Sequence, residues 1–166
     1  YRYPAQSRVW GAEDREALGI RAYHLSDVCS AYRRSAYEAV GGFPHPLPTN
    51  EDMLIAAAFL DSGYRLAYCA NAAVVHSHDL TLRQEYRRNV LIGRFLQEYG
   101  ERLGNPRETG EGLRMVRQVL SQLLRSGHPL ECPAFAADCA ARLLGSRAGR
   151  RAGTAGQRRI RHAADG

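Results

Sequence analysis

The stretch Asn50-Glu51-Asp52-Met53-Leu54-Ile55-Ala56-Ala57-Ala58-Phe59-Leu60 decides how this chain is read. Asn50 is a residue type favoured just before a first helical turn. Two acids follow it, and the apolar run from Met53 to Leu60 predicts an apolar helix. Acids in a first turn face the positive end of the helix dipole, which favours their ionised form. On the N-terminal side, Phe43-Pro44-His45-Pro46-Leu47-Pro48 holds three prolines that stiffen the approach. Before it, Ser35-Ala36-Tyr37-Glu38 predicts a capping box for a short helix that Gly41-Gly42 stops. Ala22 to Arg33 reads as a strand feeding that helix, and residues 1–23, with Tyr3-Pro4, Gly11 and Gly19, as a loop and a short strand. On the C-terminal side, Gly63 ends the helix. Arg65 to Cys69 and Ala72 to His76 then read as two extended segments separated by a turn at Asn71. At the end of such a strand, His76 and His78 project to one side and Ser77 to the other.

Past Thr81 the pattern becomes helical. Thr81 and Gln84 predict a capping box opening a helix to about Tyr99, with Arg83, Arg87, Arg88 and Arg94 exposed. Leu113, Val116, Leu120 and Leu123 recur at helical spacing before Gly127. A further helix is expected from Pro133 to Leu144, with Phe135, Cys139 and Leu143 inward. Residues 146–166 are rich in Gly, Ala and Arg and nearly devoid of large apolar groups, so they are expected to be disordered. The expected division is therefore a mixed α/β part over 1–99, a helical extension over 100–145 and an Arg-rich tail over 146–166. Phe59, Tyr64, Tyr68 and Phe95 are read as core.

The chain has 166 residues, 45% of them hydrophobic, which suits an ordinary globular domain. No run approaches the ~18 apolar residues of a membrane span. It begins with Tyr1 and shows no basic-then-apolar leader, so it reads as a piece of a longer polypeptide without a visible targeting signal. All 23 basic residues are Arg, and the formal charge is +6. Residues 142–166 hold seven Arg against Asp165, while the rest of the chain balances to zero. The basic tail reads either as a solvated terminus or as a contact for anionic lipid head groups, worth about 1 kcal/mol per Arg near the surface. Nucleic acid is not expected as a partner, because no aromatic residues interleave with these Arg residues. Cys29, Cys69, Cys132 and Cys139 are too far apart in sequence for a zinc motif or a disulfide framework, and they read as reduced, mostly buried thiols.

By residue chemistry alone, Asp52 is either a capping acid or a general base that takes a proton from an attacking hydroxyl. His76 and His78 present two imidazoles, too few to define a metal site, and also read as satisfied strand-end histidines. Arg33-Arg34 could grip a phosphate or carboxylate, or be a solvated pair at a helix start.

Five ordered blocks add a further reading: Ser26-Asp27-Val28-Cys29-Ser30-Ala31-Tyr32-Arg33-Arg34-Ser35, Gly41-Gly42-Phe43-Pro44, Asn50-Glu51-Asp52-Met53, Gly63-Tyr64-Arg65-Leu66-Ala67-Tyr68 and Ala73-Val74-Val75-His76-Ser77-His78. In this order, over roughly Tyr3 to Phe95, the chain resembles the C-terminal half of bacterial family 2 glycosyltransferases, in particular the rhamnosyltransferases of polysaccharide assembly. The resemblance implies an α/β fold, the C-terminal portion of a GT-A, Rossmann-like domain followed by a helical extension. It implies inverting transfer of a sugar from a nucleotide-diphosphate donor to a glycan or lipid-linked acceptor. Asp52 would be the catalytic base with Glu51 in support, and Ser26, Asp27, Arg33 and Arg34 would line the sugar or acceptor cleft. His76 or His78 would complete the shell of a divalent cation, Mg or Mn, part of whose site lies outside this chain. A cytoplasmic location follows, with peripheral contact at the inner face of the cytoplasmic membrane. Two departures stand out. Ser26-Asp27 replaces the subgroup's usual Ser-Asn, and no Asp-x-Asp motif is present to hold metal and diphosphate. The segment alone is thus not expected to turn over a nucleotide sugar. The rival expectation is a non-catalytic remnant whose Arg-rich surface docks on a membrane or a partner.

Overall fold

The computed structural model describes residues 4–44, 46–104 and 111–164. Tyr3, His45 and Asp165, and the side chains of Arg158, Arg159 and Arg161, lie outside the described residues. The chain divides into two compact units, Tyr1–His78 with Gly100–Pro106 and Asp79–Tyr99 with Arg107–Gly166.

In the first unit, strand β1 (Arg8–Trp10) carries the chain into helix α1 (Arg15–Leu18), helix α2 (Arg34–Ala39) and helix α3 (Glu51–Asp61), and strand β2 (Leu66–Tyr68) follows. β1 and β2 pair antiparallel, Arg8 opposite Tyr68 and Trp10 opposite Leu66. The Trp10 indole N–H donates to the Ala22 carbonyl at 2.8 Å, both groups buried, and this fastens the sheet to the 3-10 turn Gly19–Tyr23. α3 is apolar on nearly every side, as its sequence predicts: Met53, Leu54, Ile55, Ala56, Ala57, Phe59 and Leu60 are all buried. Fully burying Ile55 and Leu60 contributes roughly 1.5–3 kcal/mol each. Gly63, at φ 78°, ends the helix as predicted. At that end Asp61 accepts from Arg15 at 2.6 Å and from Arg102 at 3.0 Å.

Several sequence expectations differ from what this unit shows. Residues 22–33 form two 3-10 turns, Gly19–Tyr23 and Asp27–Cys29, rather than a strand. The Ser35 capping box does not form, because α2 already begins at Arg34 and Glu38 pairs with Arg34 at 2.8 Å one turn earlier. β2 matches the first predicted extended segment, whereas 72–76 is exposed and pairs with no strand among the described residues; Val75 is fully exposed. Of the predicted core aromatics Phe59 is buried here, but Tyr64 is exposed and Tyr68 half-buried. Cys29 and Cys69 are exposed rather than buried, since both lie on turns at the surface.

The second unit holds α4 (Leu82–Tyr99), α5 (Glu111–Arg125) and α6 (Cys132–Ala164). The Thr81 box forms: the Thr81 N–H donates to Gln84 Oε1 at 2.9 Å and the Gln84 N–H to Thr81 Oγ1 at 3.4 Å. α4 and α6 pack at backbone distance. A Cβ on Gly93 would lie 2.2 Å from the Ser146 carbonyl oxygen, and one on Gly149 would lie 2.1 Å from that of Val90. Beside this seam Glu85 is buried, accepting from Arg142 at 3.1 Å and from Asn89 Nδ2 at 3.2 Å. Where composition predicts disorder from Ser146, the backbone is helical to Ala164. Ala and Arg are good helix formers, and Gly149, a disorder signal by composition, serves with Gly145 just before the segment as a point of close approach. Cys132 and Cys139 are half-buried free thiols, and burial pushes the Cys139 thiol up. No helix among the described residues is long and apolar enough to cross a membrane.

Candidate functional site

Asp52 sits in the first turn of α3, and the backbone before it is unusual. Asn50 occupies the N-cap position in the left-handed region, at φ 61° and ψ 29°, a conformation Asn tolerates better than most residues. Its side chain does not cap the helix. Instead Asn50 Oδ1 accepts from Thr49 Oγ1 at 3.1 Å, and Asn50 Nδ2 reaches Met53 Sδ at 3.5 Å. Asp52 Oδ1 accepts the Met53 N–H at 2.9 Å. The Asp52 carboxylate is half-buried, as is Glu51 next to it.

The chain from Ser26 to Ser30 supplies the second wall. Ser26 precedes the turn Asp27–Cys29, and its carbonyl accepts the Cys29 N–H at 2.9 Å and the Ser30 hydroxyl at 2.6 Å. This closed loop presents Asp27 Oδ1 to the Tyr32 hydroxyl, which donates to it in a short hydrogen bond. The Tyr32 ring lies nearly parallel to Phe59 of α3, 6.0 Å away and inclined 18°, and meets Phe43 edge-on at 5.7 Å. Tyr37 packs on Phe43 at 5.3 Å, and its hydroxyl accepts the Phe43 N–H at 3.1 Å. Four rings from three parts of the sequence thus back the acidic cluster with apolar surface.

That wall sets the electrostatics. Burial pushes the Asp52 carboxyl above its ordinary value, and the Asp27 and Glu51 charges push the same way; the Met53 N–H and His24 oppose them. Burial, followed by the Asp27 hydrogen bond and the Asp27 and Asp52 charges, raises the Tyr32 phenol well above its usual value, so its proton stays in place. The charges of Asp27 and Asp52 both act on Tyr32, and that of Asp27 acts on Asp52.

The sequence-predicted residues divide as follows. Asp52, Glu51 and Asp27 come together, with Ser26 shaping the turn that holds Asp27. Arg34 is tied to Glu38, and Arg33 is the exposed cap residue of α2. His76 and His78 do meet, Nε2 to Nε2 at 2.8 Å with their rings edge-to-face, although the backbone that carries them is not a strand. Two ligand nitrogens about 2.1 Å from one ion, at 90–110° to each other, would stand roughly 3.0–3.4 Å apart; at 2.8 Å the two rings are instead in hydrogen-bond contact with each other. Among the described residues, no group of three or more His, Cys, Asp or Glu could hold a metal ion. Tyr32 and His24 were not singled out from the sequence. Tyr32 lies five residues from Asp27 on irregular backbone, a spacing that matches neither strand nor helix.

A half-buried carboxylate with a raised pKa, set against aromatic rings and beside a second acid, defines a site suited to withdrawing a proton from a hydroxyl. Among proteins of known role, the chain is 34% identical over 157 residues to the O-antigen chain rhamnosyltransferase WbaN of Salmonella anatum, and equally to the O-antigen chain rhamnosyltransferase RfbN of Salmonella typhimurium. Each match covers 90% of this chain and 48% of the relative, so the chain spans about half the length of the curated relatives it matches. No protein-family model and no solved structure matches it.

Proposed function

We propose that this chain is the acceptor-side half of an inverting glycosyltransferase of the GT-A, family 2 kind, which moves a deoxyhexose such as rhamnose onto a cell-surface polysaccharide or glycolipid. One observation carries the reading: Asp52, the residue on which the resemblance places the base, is a half-buried carboxylate held above its ordinary pKa by burial and by Asp27. The similarity to two rhamnosyltransferases supports the choice of sugar.

In this reading Asp52 accepts the proton of the acceptor hydroxyl as that oxygen attacks the anomeric carbon from the face opposite the leaving nucleoside diphosphate. A raised pKa makes the carboxylate a stronger base than a solvated one. Tyr32, whose hydroxyl donates to Asp27, holds that second acid in place, and the ring wall excludes water from one side of the reacting hydroxyl. Glu51 contacts the acceptor sugar. A divalent cation would offset charge developing on the leaving diphosphate; His76 and His78 would give it at most two ligands from this chain. The donor-binding residues belong to sequence outside this chain.

The test is the pH dependence of kcat/KM for transfer in a longer polypeptide that carries this segment together with its donor-binding part. Activity is expected to fall on the acid side with an apparent pKa above the ordinary carboxylate range. An acid limb at the ordinary carboxylate value, or none, refutes the reading.

A further inference from the structure

Outside the Asp52 site, α5 is the least explained element of the molecule. At about 100° per residue its seven large apolar residues, Leu113, Met115, Val116, Val119, Leu120, Leu123 and Leu124, fill one half of the helix circumference. Arg114, Arg117, Gln118, Ser121, Gln122 and Arg125 fill the other. Such a pattern in a folded protein normally lies against a core. Here no described α5 side chain is buried: Leu113 is 58% exposed, Leu124 61%, and the rest are exposed or half-buried. Leu130, in the turn that follows, is 92% exposed. Among the described residues, no surface buries this amphipathic face.

Charge identifies what covers this face. The first unit carries eight Arg against nine acids, a net of −1, whereas the second carries fifteen Arg against eight acids, a net of +7. Within α5, all three charged residues after Glu111 are Arg, and all three are exposed. A helix with a broad apolar face, an Arg-bearing polar face and a strongly basic setting suits the boundary of an anionic bilayer, with its leucines below the phosphates and its guanidinium groups among them. A second copy meeting this face through its own second unit would bring like charge against like charge.

We infer that α5 is a membrane-interface helix that seats the second unit on anionic phospholipid, its apolar face from Leu113 to Leu124 entering the head-group boundary. This is separate from the sugar-transfer reading and stands if that reading fails. It also differs from contact through the Arg-rich tail, because the apolar face of α5 carries the insertion.

The experiment is vesicle co-sedimentation of the full chain, on phosphatidylcholine alone and on phosphatidylcholine with about 30% phosphatidylglycerol, an anionic fraction that sets up an attractive surface potential. The wild type is expected to bind the anionic vesicles and not the neutral ones. Replacing Arg114, Arg117 and Arg125 together by Gln, a good helix former at three exposed positions, is expected to weaken binding about 100-fold, near fivefold per charge. Leu113→Asp with Leu120→Asp is expected to abolish it, with far-UV circular dichroism checking that the helices persist. No binding of the wild type to anionic vesicles, equal binding to neutral ones, or wild-type binding by the triple Gln variant overturns the inference. A lipid-free dimer that Leu120→Asp dissociates also overturns it, since the face then covers a second copy.

Discussion

Gly93→Ala probes the seam between α4 and α6, and its magnitude follows from the geometry. The added methyl would lie 2.2 Å from the Ser146 carbonyl oxygen and 2.9 Å from its carbon. Ordinary carbon–oxygen contacts begin near 3.3 Å, so the two helix backbones must move about 1 Å apart. Neither side can yield by turning a side chain, since the obstacle is backbone. Overpacking of this kind costs about 1–3 kcal/mol, and a backbone obstacle puts it at the upper end. The better helix propensity of Ala returns about 1 kcal/mol. The net expectation is a loss of about 2 kcal/mol, so packing outweighs propensity. Because the chain has two units, global melting need not be two-state, and native-state hydrogen exchange of α4 and α6 amides is the proper readout. A loss of about 2 kcal/mol corresponds to roughly 30-fold faster exchange. Gly112→Ala is the control: it has nothing within 4 Å and should gain about 0.5–1 kcal/mol through propensity alone. Exchange in Gly93→Ala as slow as in wild type would show that the helices do not approach this closely.

The other predictions concern charge. Burial raises the Asp52 carboxyl in the fold above its ordinary value of 3.8, so the charged form destabilises the fold as pH rises through that window. Asp52→Asn should therefore be more stable than wild type at neutral pH, with the difference vanishing in acid; denaturant titrations at several pH values that show a constant difference refute this. Asp61 behaves oppositely: against an opposing effect of burial, hydrogen bonds from Arg102 and Arg15 hold its carboxyl low. Its contribution is present above the ordinary carboxylate value and is lost as pH falls through the lowered one. Being exposed, it is worth at most about 1 kcal/mol, so Asp61→Asn should cost little, and less still in high salt. If His76 and His78 share a metal, replacing either by Ala should weaken Mn binding about tenfold or more by calorimetry, since a two-ligand contribution becomes one. Unchanged affinity would remove them as ligands.

How far the sequence was legible depended on whether an element's cause was local. The α3 start was readable because Asn50, two acids and an apolar run adjoin one another, and the Thr81 box because its partners are three residues apart. The Ser35 box has the same spacing and fails, since the helix takes Arg33 as its cap and starts two residues earlier than a Ser35 cap would set it. Gly149 was misleading for a non-local reason: only the approach of the Val90 carbonyl on another helix turns a flexible composition into a contact surface. The site was half legible. Asp52 and Asp27 could be named, but Tyr32 becomes part of it only through the tight turn at Ser26 and the packing of its ring on Phe59. The unpaired state of 72–76 follows from the lack of a partner strand among the described residues, which its Val-Val content could not reveal.

The central claim is that Asp52 takes the acceptor proton. Its most direct test is single-turnover sugar transfer by Asp52→Asn in a longer polypeptide that joins this segment to its donor-binding part, with donor binding measured in parallel. The account predicts a fall of about 10²–10⁴-fold in the transfer rate with donor affinity nearly unchanged, the range that a positioned base supplies. Transfer at the wild-type rate would contradict it.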